Sequence, residues 1–176
     1  MARRIEEPLY DVLETYDDFE LRRYGTAIQA RVQTAGRDSG GASGGFRRVA
    51  GYIFGGNDAG ASIAMTAPVS MWDEEGTGWL AFTMPAAYSL DALPAPNDSG
   101  VLLTSQPAAT VAVARFTGRS TPKKTVRVEA TLRASLQREG YAAVGPAVLA
   151  LYDNPGTTLP FMRRNELHIE VRERSD

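Results

Sequence analysis

Two stretches of this chain repeat apolar residues with a helical period, and each is followed by two runs of strand-forming residues. In GFRRVAGYIFGG, Phe46, Val49, Ala50 and Ile53 fall at i, i+3, i+4 and i+7, which predicts a helix near Gly45–Gly55. In STPKKTVRVEATLRASLQREGY, Thr121 suits an N-cap, Pro122 the first helical position and Gly140 the C-cap. Val128, Leu132 and Leu136 form the stripe of this second helix, expected over Pro122–Glu139. Alternating runs precede each helix: Asp17–Thr34, broken at Gly25, and Ala109–Gly118. After the first helix, Ala61–Trp72 and Trp79–Pro85 read as a hairpin across DEEGTG; after the second, Pro146–Pro155 and Asn165–Val171 read as strands. Gly/Ser/Asp-rich Gly36–Gly45 and Pro-rich Leu93–Gly100 read as linkers.

Each half therefore reads strand, helix, strand, strand, over about 9–90 and 101–171 of a single domain, 1–176. That order belongs to an α+β fold. If the halves pack about a pseudo-twofold axis, their strands form a barrel-like antiparallel or mixed sheet with two helices outside. Phe46, Val49, Ile53, Val128 and Leu132 are the expected core positions.

Composition excludes much. With 43% hydrophobic and 23% charged residues the chain is globular, and no 18-residue apolar run is present to span a membrane. The start, MARRIEEPLY, lacks the apolar stretch of a signal peptide, so the expected location is cytoplasmic. Zero cysteines remove disulfides, thiolate nucleophiles and iron–sulfur clusters. A net charge of −2 offers no general attraction to nucleic acid. Nothing in the sequence sets an oligomeric state.

The chemistry-bearing residues are few. The one histidine, His168, lies in NELHIEV, where Leu167, Ile169 and Val171 alternate with Glu166, His168 and Glu170; period two puts His168 on the polar face. No second histidine can share a metal with it, and no G-x-S-x-G elbow can use it as a base. We expect no enzyme and no metal site, with His168 dispensable. Glu166 follows Arg163 and Arg164, which points to a carboxylate held by arginine; a hydrolase built on Glu166 is the weaker reading. On the first helix, Arg48, Gly51, Tyr52 and Gly55 cluster opposite the apolar stripe. Two glycines there leave a shallow, bare surface on which either a flat aromatic ligand or another segment of chain can lie.

In order along the chain, EEPLYDVL, FELRRYG, GFRRVAGYIFGGN, IAMTAPV, LYDNP and RRNELHIEV resemble the SOUL family of haem-binding proteins, from about Glu7 to Val171. The resemblance implies a distorted β-barrel flanked by two helices. It also implies binding of haem or another porphyrin in a shallow apolar cleft, for buffering or delivery, and brings no settled reaction with it. In animal members of the family the haem lies against the first helix and nearby loops. Carried over, with the bare position Gly51 added, the site comprises Arg48, Gly51, Tyr52, Ile53, Met65, Phe161 and Arg163. Some relatives place a histidine, proposed as the iron ligand, where this chain has Arg23, and a guanidinium does not ligate iron. Haem here is therefore expected to be held weakly or without an axial ligand, by apolar contact, arginine–propionate pairs and a weak donor such as Tyr52 or Met65. The alternative is a sensor or scaffold for other flat apolar ligands.

Overall fold

Nine strands and two helices make up the computed structural model, which describes residues 5–35 and 39–174. The strands are β1 (Tyr10–Thr15), β2 (Glu20–Tyr24), β3 (Ala27–Thr34), β4 (Val69–Glu74), β5 (Thr77–Thr83), β6 (Leu102–Gln106), β7 (Ala109–Thr117), β8 (Tyr141–Leu151) and β9 (Arg164–Glu173). The helices are α1 (Ser39–Ile53) and α2 (Pro122–Arg138). The expected α+β class and repeat are present as β3-α1-β4-β5 and β7-α2-β8-β9.

The chain forms two compact units, one of Thr26–Pro107 with the segment ending at Pro8, the other of Leu9–Gly25 and the chain from Ala108. The first orders its strands β4-β5-β3-β6 and the second β1-β2-β7-β9-β8, all antiparallel within each unit. The repeat persists in the pairing, since β5 lies between β4 and β3 as β9 lies between β8 and β7. The strand ahead of each repeat changes places: β2 pairs with β7, and β6 pairs with β3. The contiguous halves read from sequence therefore differ from the units, because the hairpin β1-β2 groups with the second. β1 and β6 each pair on one side only, so the strands do not close into the expected barrel.

In the second unit, alternation sends Leu167, Ile169 and Val171 of β9 and Ala112 and Ala114 of β7 to the face covered by α2, where they meet Leu132 and Leu136. Thr121 caps α2 by accepting from Lys124 N, Pro122 opens it, and Gly140 beyond its end takes φ 83°. Val128 is only partly buried at the edge of this core.

In the first unit α1 packs on β3 and β5. It begins before the predicted start: SGGASGG, read as linker, is its first two turns. Its buried residues are Gly45, Val49, Ala50, Tyr52 and Ile53, at i, i+4, i+5, i+7 and i+8, so Val49, Ala50 and Ile53 of the predicted stripe are buried. A Cβ at Gly45 would stand 2.8 Å from Thr34 Cγ2, so the helix approaches the sheet through a missing side chain. That approach rotates the helix away from the predicted face. Phe46, expected in the core, is 38% exposed with its ring centroid 5.3 Å from that of Phe82, while Tyr52, expected outward, is 2% exposed. Gly55 lies past the helix end, at φ 107°.

Candidate functional site

α1 carries four of the predicted site residues. Ile53 and Tyr52 are buried, and the Tyr52 hydroxyl donates to Pro94 O at 2.9 Å. Burial pushes the Tyr52 phenol up, so it stays protonated at neutral pH and offers iron no phenolate. Arg48 is exposed and forks onto Asp98, with Nε and Nη2 each 2.7 Å from a carboxylate oxygen. These bonds hold the Asp98 carboxyl down at about 2. Gly51 faces open space, with no heavy atom within 4 Å of where a Cβ would stand, and the same holds for Gly44. Beside Gly41, Gly44, Gly45 and Arg48 runs a groove of about 280 Å³, bounded by Gln33, Thr34 and Ala35. That volume falls just short of the ~300–1,000 Å³ of enclosed small-molecule pockets, so the groove is shallow. Met65, the remaining predicted residue of this unit, lies half-buried in the segment ahead of β4.

Phe161 and Arg163 belong to the second unit, in the loop from β8 to β9. Phe161 is 71% exposed on a 3₁₀ turn, Pro160–Met162. Arg163 donates from Nε to Thr158 O and from Nη2 to Pro155 O, and so braces the loop.

The polar face of β9 holds a site the sequence showed only in part. Glu166 is 1% exposed and takes five donors: Arg22 Nη1, Tyr152 OH and His168 Nε2 on Oε2 at 3.1, 2.8 and 2.8 Å, and Arg22 Nη2 and Arg115 Nε on Oε1 at 3.2 and 3.0 Å. The arginines differ from those expected, since Arg163 serves the loop and Arg164 lies over the Tyr152 ring. Arg22 is fully buried; it also bonds Glu20 and Tyr24 and stacks on Tyr10. The signal for it was the alternation in FELRRYG, which sends Leu21 to the core and Glu20, Arg22 and Tyr24 to the opposite face. Burial alone would raise the Glu166 pKa, but hydrogen bonds from His168, Arg22 and Tyr152 outweigh it and hold the carboxyl well below the usual range. Burial, then the Glu166 charge, push the Tyr152 phenol far up. A carboxylate with every lone pair engaged is neither a proton donor nor a free base at neutral pH.

His168 is thus the hydrogen-bonded strand histidine that the sequence predicted, with Tyr24 at 5.9 Å. Arg23, at the position where some relatives have histidine, is exposed and bonds Thr110. Among the described residues no cluster of His, Cys, Asp or Glu could hold a metal ion. The bare glycine surface of α1, where added Cβ atoms would meet nothing, fits a flat porphyrin face. His168, turned onto Glu166, does not fit an axial nitrogen ligand. No helix among the described residues is long and apolar enough to cross a membrane.

Human Heme-binding protein 2 is 30% identical over 131 residues, covering 69% of this chain and 63% of the human protein, so the match spans just under two thirds of that relative's length. Mouse Heme-binding protein 2 is 30% identical over 149 residues, covering 77% and 72%. Among solved structures, the EcmrR C-terminal domain matches with TM-score 0.70 at 10% identity, over 94% of this chain and 99% of that one. SAV2435 bound to tetraphenylphosphonium matches with TM-score 0.52 at 12% identity, over 88% and 94%. At such identities the structural matches speak to the fold alone. The model of the SOUL heme-binding protein family matches residues 5–170, nearly the whole of the described chain, and the chain belongs to that family.

Proposed function

We propose that this protein binds haem or another tetrapyrrole reversibly in a shallow apolar cleft, for buffering or delivery in the cytoplasm, and catalyses no reaction of its own. The observation that carries the reading is the family match over residues 5–170, together with the side-chain-free surface of α1 at Gly44 and Gly51. An open face of this kind suits a ligand that must be released again. Arg48 lies at its border, and a porphyrin propionate can compete there with Asp98 for an exposed guanidinium.

The saturated Glu166 argues against a hydrolase, and a net charge of −2 against a nucleic-acid partner.

Titration of haem followed by its Soret band is the test. The expected affinity is micromolar, about −8 kcal/mol, as for a shallow site without a strong ligand. A spectrum of histidine-ligated haem, or no binding up to the solubility limit, contradicts the reading. Turnover of ester or lactone substrates that Glu166→Gln removes would restore the hydrolase.

A further inference from the structure

The sheet of the first unit has a second face, turned away from α1. Alternation along β3 sends the fully buried Ala30 and Val32 under the helix and Gln29, Arg31 and Gln33 to the other side. Pairing places Ala81 of β5 and Leu102 of β6 directly opposite Arg31, with Trp79, Thr83 and Thr104 on the diagonals. None of these neighbours carries a charge. Trp72 of β4 stands opposite Trp79, with ring centroids 6.3 Å apart. In this neutral setting Arg31 is half-buried, and its guanidinium carbon lies 4.8 Å above the Trp79 ring. Its Nε is shut from water and has no hydrogen-bond partner. The arginines turned onto the sheet of the second unit differ, since Arg22 meets Glu20 and Glu166, and Arg115 meets Glu166. A buried N–H without an acceptor is costly, and a guanidinium keeps its charge at every working pH. A positive charge fixed over an indole, among neutral side chains and with a donor unused, is complementary to an anion.

We infer that Arg31 anchors a second ligand site, which takes the carboxylate of a small organic acid with an apolar body. The planar fork of a guanidinium matches the two oxygens of a carboxylate. Because Nε makes no hydrogen bond here, turning it onto a carboxylate breaks none. Trp79, Ala81 and Leu102 supply apolar contact for the body of the acid, and the amides of Gln29 and Gln33 flank it along β3. Leu102 is 43% exposed, so this face meets solvent on its β6 side. The site lies across the sheet from α1, apart from the glycine surface proposed for porphyrin, and does not rest on that reading.

The chain has two tryptophans, Trp72 and Trp79, so its indole emission reports this face. The experiment titrates the full chain with benzoate, with neutral benzamide of similar shape and with inorganic phosphate, for wild type and Arg31→Gln. Wild type should show a saturable change in emission with benzoate at ~millimolar concentration, as for a small acid held by one ionic anchor. It should bind benzamide and phosphate at least tenfold more weakly. Arg31→Gln should weaken benzoate binding at least tenfold. Its urea midpoint should stay within about 0.5 M of wild type, because the change costs one cation–π contact and no ion pair. Its haem affinity should equal that of wild type. The inference is overturned if wild type gives no saturable response, if benzamide or phosphate binds as well as benzoate, or if Arg31→Gln keeps its benzoate affinity within threefold. A larger fall in the urea midpoint also overturns it, since Arg31 is then already engaged in holding the fold. Loss of haem affinity in Arg31→Gln overturns it as well, because the carboxylate is then a porphyrin propionate. Failure of wild type to bind haem removes the porphyrin reading and leaves the outcome with benzoate to decide this one.

Discussion

Replacing Arg22 with Met tests whether the buried network on β9 is one coupled unit. The substitution keeps an apolar side chain in the enclosed position and removes both guanidinium bonds to Glu166, at 3.1 and 3.2 Å. Glu166 stays 1% exposed and ionised, with Tyr152, His168 and the half-exposed Arg115 as its remaining partners. Breaking a buried pair from one side costs about 3–5 kcal/mol. The three surviving donors place this case at the low end, about 3 kcal/mol. Glu20, which also loses Arg22, is partly exposed and adds little. With a urea m-value of about 2 kcal/mol per molar, the midpoint should fall by about 1.5 M at pH 7, with m unchanged. Adding Glu166→Gln removes the stranded charge, so the double variant should recover at least half of the loss, although the two single changes summed would predict more damage. Arg22→Met should also suffer less as the pH falls, because its buried carboxyl can then take up a proton. A strictly additive double variant, or a single variant within 0.5 kcal/mol of wild type, refutes the coupling.

Glu166 has its folded pKa depressed, so its stabilisation is complete above the unfolded value of about 4.3 and is lost as pH falls below it; wild-type Tm should drop steeply from pH 4.5 towards 2, and Glu166→Gln should flatten that limb. Two glycines of α1 should respond oppositely to alanine: Gly45→Ala, whose Cβ meets Thr34, Val32 and Leu80, should cost about 1–3 kcal/mol in urea titration, whereas Gly51→Ala, facing open space, should gain about 0.5–1 kcal/mol. If porphyrin lies on that face, Gly51→Ala should also weaken its binding in the Soret titration. His168→Ala should leave haem affinity within threefold while lowering stability by about 1–2 kcal/mol, the loss of one bond to a buried charge.

The fold was legible where periodicity and caps agreed. Thr121, Pro122 and Gly140 marked the ends of α2, and β7 and β9 were found to within a residue or two, β9 with Leu167, Ile169 and Val171 buried on one face and β7 with Ala112 and Ala114 buried on one face. What escaped depends on the third dimension. The glycines of SGGASGG have the composition of a linker; they are helical because Gly45 lets the helix close onto β3, a contact between residues eleven apart. β1 exposes five of its six residues and so shows no alternation of burial to read. β6 is a short edge strand whose partner, β3, lies on the far side of α1 and the β4-β5 hairpin in sequence. The exchange of leading strands between the repeats has no local signature at all.

The same division holds at the site. The sequence placed His168 on the polar face of its strand by the period of two, and connected Glu166 with arginine because Arg163 and Arg164 precede it. Which arginine could not follow, because Arg163 and Arg164 are near in sequence while Arg22 is 144 residues away and reaches Glu166 only through the pairing of β2 with β7 and β7 with β9. Tyr52 shows the converse error. Its helical angle was read correctly, but the inward direction is set by the side chain that Gly45 lacks, which turns Tyr52 towards Pro94 and removes its hydroxyl from any iron site. With Tyr52 turned inward and His168 held on Glu166, the part of the predicted site on α1 that stays bare is the surface at Gly51, where an added Cβ would meet nothing.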